Sequence, residues 1–145
     1  MKPTRTWIIV ANARQARILE HRGAGLGVHV VSGGELKAEE ATKYSDKPGI
    51  GHSIAGPATN AMDRASTQDL ADIAFAKEVC TNLAKAQAED RYDRLVIFAG
   101  PHMLGLLRKV RQIEIEDVLL KEIDKDLTNL SVDQIETHLQ DVLFV

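Results

Sequence analysis

Two hydrophobic periods alternate along the chain. Thr6 to Ala11 (TWIIVA) and Gln15 to His21 (QARILEH) are apolar-rich runs separated only by Asn12, Ala13 and Arg14, the spacing of a tight hairpin. Asn tolerates a left-handed backbone and suits such a turn. Val28 to Ser32 is a third short run, so the first third of the chain reads as a three-stranded antiparallel meander. Patterning then stops from Gly33 to Ala65, a stretch rich in Gly, Ala, Ser, Thr and Pro. Connections of that length in compact domains are functional loops or disordered segments.

Ser66, with Asp69 three residues on, reads as a capping box that opens a helix to about Asp90. Its apolar positions Leu70, Ile73, Ala74, Ala76, Cys80, Leu83, Ala84 and Ala86 recur at near-helical spacing. The centre of the pattern is Arg94 to Arg108 (RLVIFAGPHMLGLLR). An apolar run, Leu95 to Ala99, breaks at Gly100 and Pro101 into a helical pattern over 101–111 with Met103, Leu104, Leu107 and Val110 facing inward. Pro101 suits a first helical position, and Gly100 can take whatever angle the corner needs. Gly105 inside this helix predicts a close backbone approach. Arg108, Lys109 and Arg111 complement the negative end of its dipole. From Ile113 to Leu127 a helical period fits about as well as a strand does. Ser131 and Gln134, with the apolar pair Leu130 and Ile135, announce a last helix to about Leu143. With 117–124 as a strand, the order becomes three antiparallel strands, helix, strand, helix, strand, helix. That is an α/β, ribonuclease H-like topology, a mixed five-stranded sheet in a single domain over 1–145 with a long loop after strand 3.

Composition narrows the partners. The chain is 44% apolar and 27% charged, an ordinary globular balance. Few aromatics are present for stacking bases, which argues against single-strand and DNA binding. The net charge of −3 conceals a gradient: residues 1–64 carry nine Lys/Arg against six Asp/Glu, whereas 114–145 carry two against nine. Any polyanion contact therefore belongs to the first two thirds. The lone Cys80 excludes a disulfide scaffold and reads as a small core residue. The run Trp7 to Ala11 is too short for a signal core or a membrane span, so a cytoplasmic protein with no membrane contact is expected.

The strand-to-helix elbow at Gly100, Pro101 and His102 is the expected site, because such corners present amide N–H groups and a positive dipole end at the carboxyl edge of a sheet. Asn12, Arg14 and Arg17 lie near that edge, and the loop segment Pro48 to Arg64 adds His52 and Arg64. RGAGLG, residues 22–27, resembles a phosphate loop only superficially. A strand follows it instead of a helix, so no nucleotide cofactor is expected there and no cofactor elsewhere. No His, Cys or carboxylate stands at metal-ligand spacing beside His52, so no metal is expected. A two-metal nuclease needs clustered acids at the sheet edge. Asn12 follows the first strand here and Phe98-Ala99-Gly100 ends the fourth, which excludes that chemistry.

WIIVANARQARILE, the Phe75-Ala76 pair with its helix, LVIFAGPHMLGLLR and the KDLTNLS segment Lys125–Ser131 together resemble the bacterial family named "protein required for attachment to host cells". That family is grouped with bacterial relatives of archaeo-eukaryotic release factors, whose middle domain is ribonuclease H-like. The resemblance implies a strand just before KDLT. It also implies a cytoplasmic, non-enzymatic adaptor or a ribosome- or tRNA-associated factor, with a protein partner or a homo-oligomer as further options. Family members usually carry Asp at the position of Asn12 and Ala-Pro-Pro at the elbow. Release factors hydrolyse peptidyl-tRNA with a Gly-Gly-Gln loop, whereas this chain has Gly33-Gly34-Glu35, and glutamate lacks the amide donor. The alternative is an enzyme acting on a small molecule or phosphoester at the elbow, with His52 or His102 as acid or base.

Overall fold

The computed structural model describes residues 4–39 and 57–143, with backbone alone for 57–66. Strands β1 (Thr6–Ala11), β2 (Gln15–His21) and β3 (Val28–Lys37) form the meander, followed by helix α1 (Pro57–Ala88), strand β4 (Arg94–Ala99), helices α2 (Pro101–Val110) and α3 (Ile113–Val118), strand β5 (Leu119–Asp124) and helix α4 (Val132–Leu139). One sheet orders them β3-β2-β1-β4-β5. β1 pairs antiparallel with β2 and parallel with β4, and β4 pairs parallel with β5. This is the expected ribonuclease H-like α/β fold.

β1 and β4 are central, so both their faces are covered. Trp7, Ile9 and Ala11, with Leu95, Ile97 and Ala99, pack against Phe75, Val79 and Leu83 of α1 and Met103 and Leu107 of α2. Ile8, Val10, Val96 and Phe98 face the other way, onto Leu127, Ile135 and Leu139. Strands buried on both sides lose the apolar-polar alternation of a half-exposed strand, which is why TWIIVA and LVIFA read as unbroken runs. Cys80 is buried in the first cluster, and burial pushes its thiol up to about 11.

Several local expectations are corrected. β3 runs to Lys37 instead of ending at Ser32, because Gly33, at φ 72°, and Gly34 let the strand pass through an irregularity opposite Ile18. A Cβ on Gly34 would lie 2.8 Å from the Val31 carbonyl and 2.9 Å from that of Ile18, so no other residue fits. α1 begins at Pro57, with proline in the first turn, and Ser66 lies inside it and is no cap. Its Leu70 is exposed, because it lies on the outward face while the neighbouring Ala71 and Asp72 are buried. Residues 113–124 use both readings, a short helix and then a strand. At Gly105 a Cβ would meet nothing within 4 Å, so close packing does not explain that glycine.

The last helix is capped as its sequence announces. Ser131 Oγ accepts from the Gln134 amide, Gln134 reaches back to the Ser131 amide, and α4 ends at Leu139, one turn short of Leu143. At the end of α2, Arg108 and Arg111 bind the Glu122 carboxylate of β5, so they act as ion-pair partners more than as dipole complements.

Ile135 is fully buried and joins α4 to the second face of the sheet. Ile135→Ala is expected to lower unfolding free energy by about 2–5 kcal/mol, whereas Leu70→Ala changes it by less than about 0.5 kcal/mol. Chemical denaturation monitored by circular dichroism measures both.

Candidate functional site

The parallel pair β1 and β4 ends together, Ala11 beside Ala99, so the hairpin turn after one and the elbow after the other share an edge. At the turn, Asn12 Oδ1 accepts from the Arg14 and Gln15 amides at 2.8 and 2.9 Å. Asn12 is not left-handed; among described non-glycine residues only Asp90 has positive φ. Its side chain, acting as an Asx turn, closes the hairpin. The Nδ2 amide donates to Thr128 Oγ1 at 2.9 Å, while Thr128 N and Oγ1 both donate to Asp126 Oδ1. Asn12 thus ties the hairpin to the segment after β5.

The elbow stands opposite. Gly100 caps α2 with φ −68° and ψ 170°, angles open to any residue, so its backbone freedom is not what the corner needs. The position faces Asp126, whose Cβ lies 3.8 Å from where a Cβ on Gly100 would stand. Pro101 opens the helix, and no side chain caps it. Asn12, Ala13, the elbow and Asp126 enclose a hollow of about 230 Å³.

His102 also lines this hollow but makes its hydrogen bond on the α1 side. Its Nε2 lies 2.8 Å from Asp72 Oδ2, and Gln68 Nε2 donates to Asp72 Oδ1 at 2.7 Å. The Asp72 side chain is 8% exposed and that of His102 61% exposed. A buried carboxylate needs such partners. When Asp72 is ionised its carboxylate only accepts, and the imidazole then donates from Nε2 and leaves Nδ1 as its second functional atom. Asp72, Gly105, Leu106 and Lys109 line a second hollow of about 420 Å³ between α1 and α2.

Of the sequence-derived residues, Asn12, Gly100, Pro101 and His102 come together here. Arg14 is exposed at the turn. Arg17 faces the α4 layer, where its Nη1 donates to the Leu130 carbonyl at 2.6 Å, a tethering role. His52 and the Arg64 side chain lie outside the described residues. Sequence reasoning missed Gln68, Asp72, Asp126 and Thr128. Only Asp72 left a signal, a carboxylate between Ala71 and Ile73 where the helix turns inward. Among the described residues, no group of three or more His, Cys, Asp or Glu gathers to hold a metal ion, and no helix is long and apolar enough to cross a membrane.

Asn12→Asp keeps the turn acceptor but replaces the amide that donates to Thr128 with a second carboxylate near Asp126. It is expected to cost about 1–3 kcal/mol at neutral pH, read as a lower thermal unfolding midpoint, and adding Asp126→Asn should recover at least half of that loss.

Solved structures share this architecture at low identity. An "archaeal protein" superposes with a TM-score of 0.54 at 12% identity, over 97% of this chain and 34% of that one. The archaeal translation termination factor aRF1 superposes at 0.50 with 11% identity, over 94% of this chain and 38% of that one. The chain spans little more than a third of either. No curated protein matches it. Residues 5–139 match the family described as bacterial archaeo-eukaryotic release factor family 12, and with nearly its whole length in that match the chain belongs to this family.

Proposed function

We propose that the protein is a non-enzymatic, cytoplasmic adaptor of translation that touches the ribosome or tRNA, or a protein bound to them, through the carboxyl edge of β1 and β4. The supporting observation is the exposed corner itself. The hairpin turn with Arg14 and the uncapped start of α2 lie side by side on a rigid, doubly covered sheet. Family membership and the shared fold of aRF1 favour a translation-related partner over an unrelated one. On this reading the chain works as one domain, and the segment from Pro48 to Arg64, with His52, completes the surface. A role in attachment to host cells would be an indirect outcome of such regulation, and self-association is a further property of the same adaptor.

Electrostatic contact with RNA phosphates weakens with salt. Wild-type protein is expected to co-sediment with ribosomes or tRNA at low salt and less so at high salt, and the double variant Arg14→Glu/Arg64→Glu should lose most of that binding. Absence of wild-type binding at both salt concentrations refutes the RNA contact.

A second reading is supported by the Gln68-Asp72-His102 chain. A carboxylate that orients an imidazole at the mouth of a cavity is the arrangement of a general base, and general-base catalysis contributes typically 10²–10⁴-fold. On this reading the 420 Å³ hollow takes a small phosphoester or similar substrate. Any turnover of model phosphoesters should fall by about that factor in His102→Ala and fall less in Asp72→Asn. Equal turnover by wild type and His102→Ala removes it.

A further inference from the structure

The opposite edge of the sheet, where β1 and β4 begin, holds a cleft of about 380 Å³ that the reading above does not use. Arg5 fixes its floor. The guanidinium donates to the Asp90 carbonyl at 2.6 Å and to both the Asp90 and Asp93 carboxylates at 3.2 Å, clamping the start of β1 to the turn between α1 and β4. Trp7, 2% exposed, stacks on Tyr92 with ring centroids 4.7 Å apart and gives its indole N–H to Glu20. Over the Trp7 ring, 5.2 Å from its centroid, lies the guanidinium of Arg91.

Arg91 is exposed, and no carboxylate among the described residues pairs with it. Its cation is attracted to the face of the aromatic ring, and its planar head lines the cleft. At the rim, Arg22 pairs with Glu20 yet leaves its side chain 62% exposed, and His29 stands opposite Glu20 in the strand register. Burial would raise the Glu20 carboxyl, but hydrogen bonds from Arg22 and Trp7 outweigh it and hold the group below its ordinary range. Glu20 is therefore ionised and holds Arg22 in an ion pair at the rim. The lining carries three guanidiniums against two carboxylates, with His29 beside them.

We infer that this cleft binds a mononucleotide, its base stacked on the Arg91 guanidinium and its phosphate held by Arg22 and His29. Arginine planes stack on bases, and arginine forks match phosphate oxygens. The volume falls within the range of small-ligand pockets. Arg22 opens RGAGLG, so that segment would serve an anion through its arginine side chain, without the helix a phosphate loop requires.

Trp7 is the sole tryptophan of the chain, so its fluorescence reports on this cleft. The full-length protein is titrated with AMP, GMP, CMP and UMP, with adenosine, and with inorganic phosphate, each to about 5 mM, with calorimetry in parallel. At least one nucleotide should give a saturable change, and its unphosphorylated nucleoside and phosphate alone should each bind at least about tenfold more weakly. Arg22→Ala should weaken the nucleotide about tenfold or more and leave the nucleoside within about twofold. Arg91→Lys keeps the charge over Trp7 but removes the stacking plane, and should lower nucleotide affinity by about fivefold or more with the unfolding midpoint unchanged. The inference is overturned if no nucleotide binds by either method, if phosphate or nucleoside alone binds as well as the nucleotide, or if both variants bind like wild type.

Discussion

The parallel contact between β1 and β4 is the constraint on which the rest of the structure depends. Every residue of β1 is at most 2% exposed, and five of the six in β4 are as deeply buried. A strand in that position cannot turn a polar side chain toward water on either face, so its residues are apolar or, like Thr6, hydrogen-bonded within the protein, and its backbone must pair on both sides. Polar groups are thereby displaced to the ends of the strands: the carboxyl end meets the Asx turn and the elbow, and the amino end meets the Arg5 clamp.

The two ends differ in how their charge is arranged. At the carboxyl end the carboxylates of Asp72 and Asp126 are each tied to a neutral or titratable partner, Gln68 and His102 for one and Thr128 for the other. At the amino end each carboxylate meets a guanidinium, Arg5 for Asp90 and Asp93 and Arg22 for Glu20. The excess of Lys and Arg in the first part of the sequence thus gathers partly at the amino end, away from the elbow where the topology alone would place a ligand. Charge balance along a chain says how much of each sign a region holds. Pairing in the fold decides where a cation faces solvent without an acid beside it.

Much of the fold was legible because its signals are local and strong. Unbroken apolar runs mark β1 and β4, and the Ser131–Gln134 box marks the start of α4 within a residue. The misses have physical reasons. Gly33 and Gly34 look like a strand end, and only the fold shows that the strand needs them, Gly33 for its positive φ and Gly34 because the Val31 and Ile18 carbonyls leave no room for a Cβ. Ser66 has a cap's spacing, yet Ala-rich sequence on both sides lets a helix run through it. The elbow was legible as a place from Gly100 and Pro101. Its chemistry was not, because Asp72 lies 30 residues before His102 and meets it only through the packing of α1 on α2. Arg17 shows the reverse: a basic residue beside the expected contact edge by sequence, it turns to the other face because strand residues alternate.

Position 12 ties the scaffold to what it can and cannot do. An acid at the end of the first strand, near Asp126, would begin the carboxylate cluster that this topology needs to seat divalent ions. Asn12 instead uses both ends of its amide, the oxygen on two backbone N–H groups and the nitrogen on Thr128. Thr128 in turn spends its hydroxyl proton on Asp126, so that carboxylate is hydrogen-bonded within the protein before any ion arrives. One amide therefore braces the hairpin against the segment after β5, and the edge beside the elbow is held in a fixed arrangement by side-chain hydrogen bonds instead of by an ion pair.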